Sequence, residues 1–448
     1  METRIRMKKN LQLYLHIPFC IKKCDYCDFL SFPIGEDEEE WSKRETLDGE
    51  SEVNPTLMQG QLPSVNKKVR KQYIKALVNE IQSVQDKFKD YKVNTIFMGG
   101  GTPSILSCKE MNEIFSALQN SFTIDKNAEI TIEANPGTVT QENVTTWKEI
   151  GINRVSIGLQ SAKDEELKLL GRIHTFKQFK ETFSLLRENG FSNINVDLIS
   201  GVPGQTIESY METLNKVIEL NPEHISAYGL IVEEGTKFGE IYRECDRKDV
   251  NGSGDERGLG ELCSLKHGGD LMKKGLTPDL PSEETERQMY KATKKQLEQY
   301  GYHRYEISNY AKEGYECKHN LGYWERVDYL GLGLGAASLI GNVRFHQVNH
   351  LEQYMEKFTF AKESQPEDIM ILNEKEQMEE FMFLGLRKTK GISKTQFYEK
   401  FERSIDGVYG RVLMELEKES LIEMNDDEIK LTEKGIDISN VVFAEFIF

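Results

Sequence analysis

One rhythm constrains this chain more than any other feature. From residue 11 to residue 228, short apolar runs alternate with amphipathic stretches. The first run, residues 11–17, places Leu11, Leu13, Leu15 and Ile17 at period two, the spacing of a half-buried strand. Further strand-like runs follow at 95–98, 129–133, 154–158, 193–199 and 224–228. Helical patterns separate them. Tyr73, Leu77, Ile81 and Val84 mark the first, and segments near 110–118, 141–149, 176–189 and 207–220 continue the series. Strands that alternate with helices pair in parallel through right-handed crossovers. Six of them predict an α/β fold, a partial (β/α)6 barrel, with a doubly wound open sheet as the alternative. In either case functional side chains belong where strands end and loops begin.

The rest of the chain divides by composition. Residues 1–32 and 67–243 carry the barrel pattern. Residues 33–66 hold nine acidic and two basic residues with three prolines, which predicts a solvated, disordered insertion. Residues 244–274, with Asn251-Gly252-Ser253-Gly254-Asp255 and Lys266-His267-Gly268-Gly269-Asp270, predict a second loop insertion. A helix near 283–300 opens an extension over 275–365. Three helices at 377–388, 394–401 and 411–419 and a hairpin-like 421–432 then predict a winged-helix-like accessory domain over 366–448.

Charge and apolar content exclude several classes. The chain of 448 residues has 57 Lys and Arg against 74 Asp and Glu, a net charge of −17. That balance argues against non-specific nucleic-acid binding, which needs cations to neutralise phosphates. No apolar run approaches the roughly 20 residues that span a bilayer. The basic residues 1–10 lead only into a run interrupted by Gln12 and His16, neither a signal peptide nor an anchor. The chain reads as cytoplasmic, with peripheral membrane contact left open. There are seven cysteines, and Cys20, Cys24 and Cys27 crowd together. In a reducing compartment such a cluster points to metal rather than to disulfides.

Cys20-x3-Cys24-x2-Cys27 leaves the first strand directly. A 4Fe–4S cubane has four irons, so three thiolates leave one iron open to a small chelating molecule. A structural zinc site wants four protein ligands. His16 could supply the fourth, which keeps a Cys3His zinc site as the alternative. Gly99-Gly100-Gly101-Thr102-Pro103 ends the second strand and lets backbone approach a ligand closely. No Gly-Lys-Ser/Thr follows, so it is not a phosphate loop.

Together these motifs resemble the radical SAM superfamily. In that superfamily the open iron is chelated by S-adenosyl-L-methionine, and cluster reduction can cleave the sulfonium to a 5′-deoxyadenosyl radical. The resemblance narrows to the oxygen-independent coproporphyrinogen III oxidase family. It rests on Tyr14-Leu-His16-Ile-Pro-Phe-Cys20, Cys24-Asp-Tyr26-Cys27-Asp-Phe29, Glu133-Ala-Asn-Pro136, Gly158-Leu-Gln160-Ser161, Leu170-Gly-Arg172-Ile-His174 and Asp197-Leu-Ile-Ser-Gly201-Val-Pro-Gly204-Gln-Thr206. It covers residues 11–32, 68–243 and 275–440. It implies that Tyr14, Tyr26, Gly100, Gly101, Thr102, Glu133, Gln160, Arg172 and Asp197 line the S-adenosyl-L-methionine site. The residues agree with it: carboxylates suit a ligand with a sulfonium, an ammonium and ribose hydroxyls, and Arg172 suits a carboxylate.

Two departures and one extra motif separate this chain from the oxidase. The oxidase carries a further cysteine two residues after the third, where this chain has Phe29. The oxidase also has a long N-terminal extension, and only 19 residues precede Cys20 here. His319-Asn320-Leu-Gly-Tyr323-Trp324 is similar to the H-N-x-x-Y-W run of the family's haem-chaperone subgroup. The resemblance implies haem as a further ligand and an unidentified haem-acceptor apoprotein as partner. Imidazole is the usual axial ligand of haem iron, which makes His319 the expected ligand. Cys317 is an alternative, and His174, His303 and His346 are lesser candidates. No C-x-x-C-H is present for covalent attachment. The sequence therefore reads as a haem chaperone with radical machinery rather than an active coproporphyrinogen dehydrogenase. The oxidase reaction itself and a radical SAM methyltransferase are the alternatives.

Overall fold

The computed structural model describes residues 8–35, 65–242, 278–360 and 366–447. Of the acidic segment 33–66 the residues 36–64 lie outside them, as does the expected insertion 244–274. Six strands follow the expected order: β1 (Lys9–Ile17), β2 (Tyr91–Gly100), β3 (Ile124–Ala134), β4 (Arg154–Gln160), β5 (Ile194–Ser200) and β6 (His224–Gly229). Each pairs in parallel with the next, so their order in the sheet is the order in the chain. A doubly wound sheet needs a reversal of strand order. Without one, right-handed crossovers place all the connecting helices on one face, and the sheet curls as a barrel wall. It remains open, because β1 and β6 each pair with other strands instead of with one another.

Five helices cover the outer face: α1 (Lys67–Ser83), α2 (Cys108–Ser121), α3 (Gln141–Glu149), α4 (Phe176–Glu188) and α5 (Ile207–Glu219). Each starts after a residue whose side chain accepts from the first turn, namely Asn66, Ser107, Thr140, Thr175 and Thr206. The strand pleat then sorts the residues. Leu11, Leu13, Leu15, Ile96, Met98, Ile130, Ile132, Val155, Val196 and Leu198 are buried in the core shared with these helices. The alternate positions face inward and are mostly polar. Register aligns Gln12, Thr95 and Glu129 in one layer, and Tyr14, Phe97, Thr131 and Arg154 in the next. His16, Gly99, Glu133, Ser156, Asn195 and His224 form a third.

The extension builds onto both edges. Tyr329–Leu332 pairs in parallel with β1, from Gln12↔Tyr329 to Leu15↔Leu332. This seventh parallel strand was not among the expected ones. Ala337–Ile340, Val343–His346 and Glu367–Ile371 continue that edge antiparallel, while Asn309–Ala311 and His303–Arg304 extend the other beyond β6. The C-terminal part has its own core, with Met382, Phe397, Tyr409, Leu413, Ile429 and Phe446 at its centre. Helices Glu374–Gly385, Lys394–Phe401 and Ile405–Lys418 pack with a sheet of Ile392–Ser393, Glu428–Leu431 and Ile422–Met424, a winged-helix arrangement. The first helix starts three residues earlier than the sequence pattern suggests, because Asn373 and Glu376 form a capping box.

One buried carboxyl joins α1 to the extension. Glu80 accepts from the Tyr354 hydroxyl and from the Gly333 backbone N–H at 2.8 Å. Burial pushes its pKa up from 4.5 to about 7. The folded state therefore holds a proton that the unfolded chain has released, and this favours folding at low pH. The contribution is lost as pH rises from about 4.5 through about 7. Glu80→Gln should gain stability over the unmodified chain on going from pH 5 to pH 8. Urea unfolding should show a relative gain on the order of 1–3 kcal/mol.

Candidate cofactor site

The three cysteines sit in a loop whose base is closed. Phe19–Cys20 pairs in parallel with Phe32–Pro33, and the N–H groups of Phe32 and Ile34 donate to the carbonyls of Pro18 and Cys20, each at 2.8 Å. The ends of the following segment also meet: Ile34 and Val65 form a parallel bridge. The loop's crown rests on the turn after the short helix Asp164–Leu169, where the Asp25 N–H donates to the Leu170 carbonyl at 3.1 Å. Gly171 has φ +74°, and a Cβ there would lie 2.7 Å from the Asp25 carboxylate. The Leu170-Gly-Arg172 motif thus seats the cysteine loop. His16 does not join the thiols. Its Nε2–H donates to the Leu30 carbonyl at 2.7 Å, so Nδ1 accepts from the Tyr14 hydroxyl at 3.0 Å. Both nitrogens are engaged, which speaks against the Cys3His zinc alternative.

Donors converge on the sulfurs. Thr102 Oγ1 donates to Cys20 Sγ at 3.4 Å, and Arg172 Nη1 lies 3.5 Å from Cys24 Sγ. Burial raises the thiol of Cys20, and that of Cys27 to about 12. A bound metal ion deprotonates such thiols outright. Gly101 packs directly on the loop: its N–H donates to the Ile17 carbonyl, and a Cβ would fall 2.6 Å from the Phe19 carbonyl. Its neighbour Gly100 donates its N–H to Glu133 Oε2 at 3.1 Å. Burial, then the charge of Asp197, pushes Glu133 up to about 8. Asp197 is also raised by burial, although Asn195 Nδ2 and Ser156 Oγ donate to its oxygens at 2.7 and 3.0 Å. Gln160 ends β4 in a left-handed conformation, φ 72°. Arg172 Nη2 donates to Asn135 Oδ1 and to the Gly158 carbonyl at 2.6 and 2.7 Å, while its buried Nε has no partner among the described residues. Tyr26 packs beside Leu170, Ile199 and Phe238, and Tyr14 stacks on Phe97 with centroids 6.4 Å apart.

The residues present fit a thiolate-held cluster with an adjoining ligand. Three thiols share one pinned loop, two cationic or hydroxyl donors reach sulfur, and Gly101 leaves to the loop backbone the space that a Cβ would occupy. Carboxyl groups from two strands, Glu133 near the end of β3 and Asp197 within β5, and an orphaned guanidinium N–H remain for a zwitterionic, cationic molecule. Asn135 belongs to this site as well: its Nδ2 donates to Thr102 Oγ1 at 2.8 Å, linking the glycine run to Arg172. Sequence reasoning had given it no role. An asparagine ahead of a proline reads first as a turn former, although the Glu133-Ala-Asn-Pro136 motif contains it.

The His319 motif lies deeper in the barrel. Cys317 precedes a short helix, Lys318–Trp324. Glu129, from β3, accepts from the Cys317 thiol at 3.4 Å and from the backbone N–H groups of Lys318 and His319, each at 3.1 Å. His319 is 1% exposed. Its Nδ1 meets Thr95 Oγ1 at 2.7 Å, its Nε2 meets the Tyr323 hydroxyl at 3.0 Å, and its ring stacks on Phe97. Burial, then the charge of Arg154, lowers its pKa to about 3. Burial also raises Cys317 to about 12. His174, His303 and His346 are hydrogen-bonded elsewhere, to the Leu159 carbonyl, Glu316 and Asp368.

These are the parts of a radical SAM protein. The Radical SAM superfamily model matches residues 14–217, and the HemN C-terminal domain model matches residues 372–438. The chain belongs to the HemW family. It is 34% identical to the heme chaperone HemW of Bacillus subtilis (strain 168) over 97% of this chain and 98% of that one. It is 32% identical to the heme chaperone HemW of Lactococcus lactis subsp. lactis (strain IL1403) over 98% of each. Among solved structures, coproporphyrinogen III oxidase (HemN) from Escherichia coli superposes with a TM-score of 0.75 at 22% identity, over 99% of this chain and 91% of that one. At that identity the likeness is one of fold.

Two substitutions test the site. Gly101→Ala should push the Phe19 carbonyl, and with it Cys20, out of place. Iron and acid-labile sulfide after anaerobic reconstitution should fall several-fold, with the circular dichroism spectrum retained. Glu129→Ala removes three buried acceptor interactions at once. Denaturant unfolding should show a loss of about 2–4 kcal/mol.

Proposed function

We propose that this protein is a haem chaperone: it holds a 4Fe–4S cluster and S-adenosyl-L-methionine, accepts haem, and passes the haem to an acceptor apoprotein in the cytoplasm. The observation that carries this reading is the similarity to HemW chaperones along nearly the whole chain. Position 29 supports it. The side chain there is Phe29, 59% exposed, so the crown of the cluster loop presents an apolar ring where the oxidase pattern has a thiol. Among the described residues no helix is long and apolar enough to cross a membrane.

In this reading Cys20, Cys24 and Cys27 hold the cluster, and the open iron takes S-adenosyl-L-methionine. When reduced, such a cluster can supply an electron to a sulfonium. The chain's own part is binding and exclusion of water. Gly100, Gly101 and Thr102 shape the floor between the thiols and Glu133. Glu133 and Asp197 offer acceptors to an ammonium and to ribose hydroxyls. Arg172, already tied to Cys24 and Asn135, faces a carboxylate. Tyr14, Tyr26 and Gln160 complete the wall. Haem belongs on the side of the barrel that carries His319 and Tyr323. The C-terminal winged-helix unit is the candidate dock for the acceptor.

The reconstituted protein should bind haemin in a single saturable step. Incubated anaerobically with coproporphyrinogen III, S-adenosyl-L-methionine and a reductant, it should form no vinyl product. Haemin binding with no vinyl formation supports the chaperone. Turnover to protoporphyrinogen IX would replace this reading with the oxidase.

A further inference from the structure

A cleft of about 400 Å³ opens between the barrel, the extension strands and the C-terminal helix Glu374–Gly385. Small-molecule sites run from roughly 300 to 1,000 Å³. Tyr323, Trp324, Tyr329, Leu339 and Phe383 line it, and Arg344 adds a cation. Tyr14 reaches the same cleft from inside the barrel. Flat aromatic surface with one guanidinium suits a planar apolar macrocycle bearing carboxylates. Arg344 is already paired with Glu380 at 2.6 Å, so a propionate would share or displace that partner. Trp324 Nε1 is buried at the cleft with no hydrogen-bond acceptor among the described residues, a donor waiting for a partner.

His319 lies behind this wall. Its Nε2 is 3.0 Å from the Tyr323 hydroxyl, and Tyr323, not His319, lines the cleft. The imidazole is held on three sides, by Thr95 at Nδ1, by the Tyr323 hydroxyl at Nε2 and by the face of Phe97, while its backbone N–H is fixed on Glu129. An iron entering the cleft therefore meets the phenol first.

We propose that Tyr323 is the side chain that takes the iron of haem in this cleft, and that His319 is its positioning residue. This rests on the chaperone reading above. With its proton on Nε2, His319 donates to the phenolic oxygen while the Thr95 hydroxyl donates to Nδ1. The O–H of Tyr323 is then left to point into the cleft. Ferric haem in water at neutral to alkaline pH carries an axial hydroxide. The Fe–O(phenolate) bond forms as the Fe–O(hydroxide) bond breaks, and the phenolic proton leaves with the hydroxide as water. The iron stays ferric, and no electron moves. Phenolate is an ordinary axial ligand of haem iron. The Nε2–H of His319 stabilises the oxygen that acquires the charge.

Haemin titrated into the reconstituted full-length protein tests this. The unmodified protein should show a high-spin ferric tyrosinate spectrum, with an iron–phenolate stretch by resonance Raman. Tyr323→Phe should lose that stretch and at least about tenfold in affinity, with cluster content unchanged and the circular dichroism spectrum retained. His319→Gln keeps an N–H donor and should keep the stretch with near-normal affinity, whereas His319→Ala should keep the stretch at a shifted frequency and weaken binding several-fold. The assignment of Tyr323 is overturned, with the chaperone reading intact, if Tyr323→Phe retains the spectrum and affinity of the unmodified protein. It is overturned equally if His319→Ala alone removes the iron ligand. Failure of the unmodified protein to bind haemin overturns both.

Discussion

Glu129 is a carboxylate placed inside a barrel, and the organisation of the deep interior depends on how its charge is satisfied. It accepts from the Cys317 thiol and from two backbone N–H groups that open the helix Lys318–Trp324. Those N–H groups have no partner within the helix, and a negative charge there complements the helix dipole. A buried carboxylate left alone would cost several kcal/mol. The pairing therefore fixes a piece of the extension inside the barrel and sets the positions of His319 and Tyr323. From the same place a chain of hydrogen bonds runs back toward the cluster end. The Cys317 N–H donates to the Tyr305 hydroxyl, which meets His224 Nε2; His224 Nδ1 meets Asn195, and Asn195 donates to Asp197. The two ends of the interior share one polar network.

That interior exists because of the strand pleat. Alternate residues of six parallel strands face helices and are apolar, and the others face inward and are largely polar. Packing against the helices drives folding, while the inward row supplies chemistry and must be internally paired. Arg154 shows the constraint most sharply: it is fully buried, and the carboxyl groups of Glu129 and Asp197 beside it offset the cost of its burial.

Much of this was legible in the sequence, for physical reasons that can be named. The six strands alternate at period two, and each of the five outer helices begins at a Ser, Thr or Asn cap, so pattern and chemistry agree. The cysteine triad and the glycine run are local motifs whose spacing is their meaning. Tyr329–Leu332 was missed because Leu330, Leu332 and Leu334 alternate with glycines, which read as a loop, and because its pairing with β1 is set by contacts more than 300 residues away in sequence. Asn195 and Ser156 went unnoticed for a related reason. Each looks like an ordinary polar strand residue until register brings both against Asp197. Glu129 begins an expected strand, where a carboxylate reads as solvated. His319 could be identified by its motif, but its burial behind Tyr323 depends on where the extension folds.

The stem beneath the cysteine loop carries an evolutionary consequence. Phe32–Pro33 lies beside Phe19–Cys20, and Ile34 is stitched to Val65, so the chain departs and returns at one point of the scaffold. Closing a longer loop there costs little, about 0.6 kcal/mol per doubling of length. Descendants of this protein can lengthen, shorten or replace that stretch while the three sulfurs stay where they are. It is a natural port for grafting a tag or a tether onto a radical SAM scaffold.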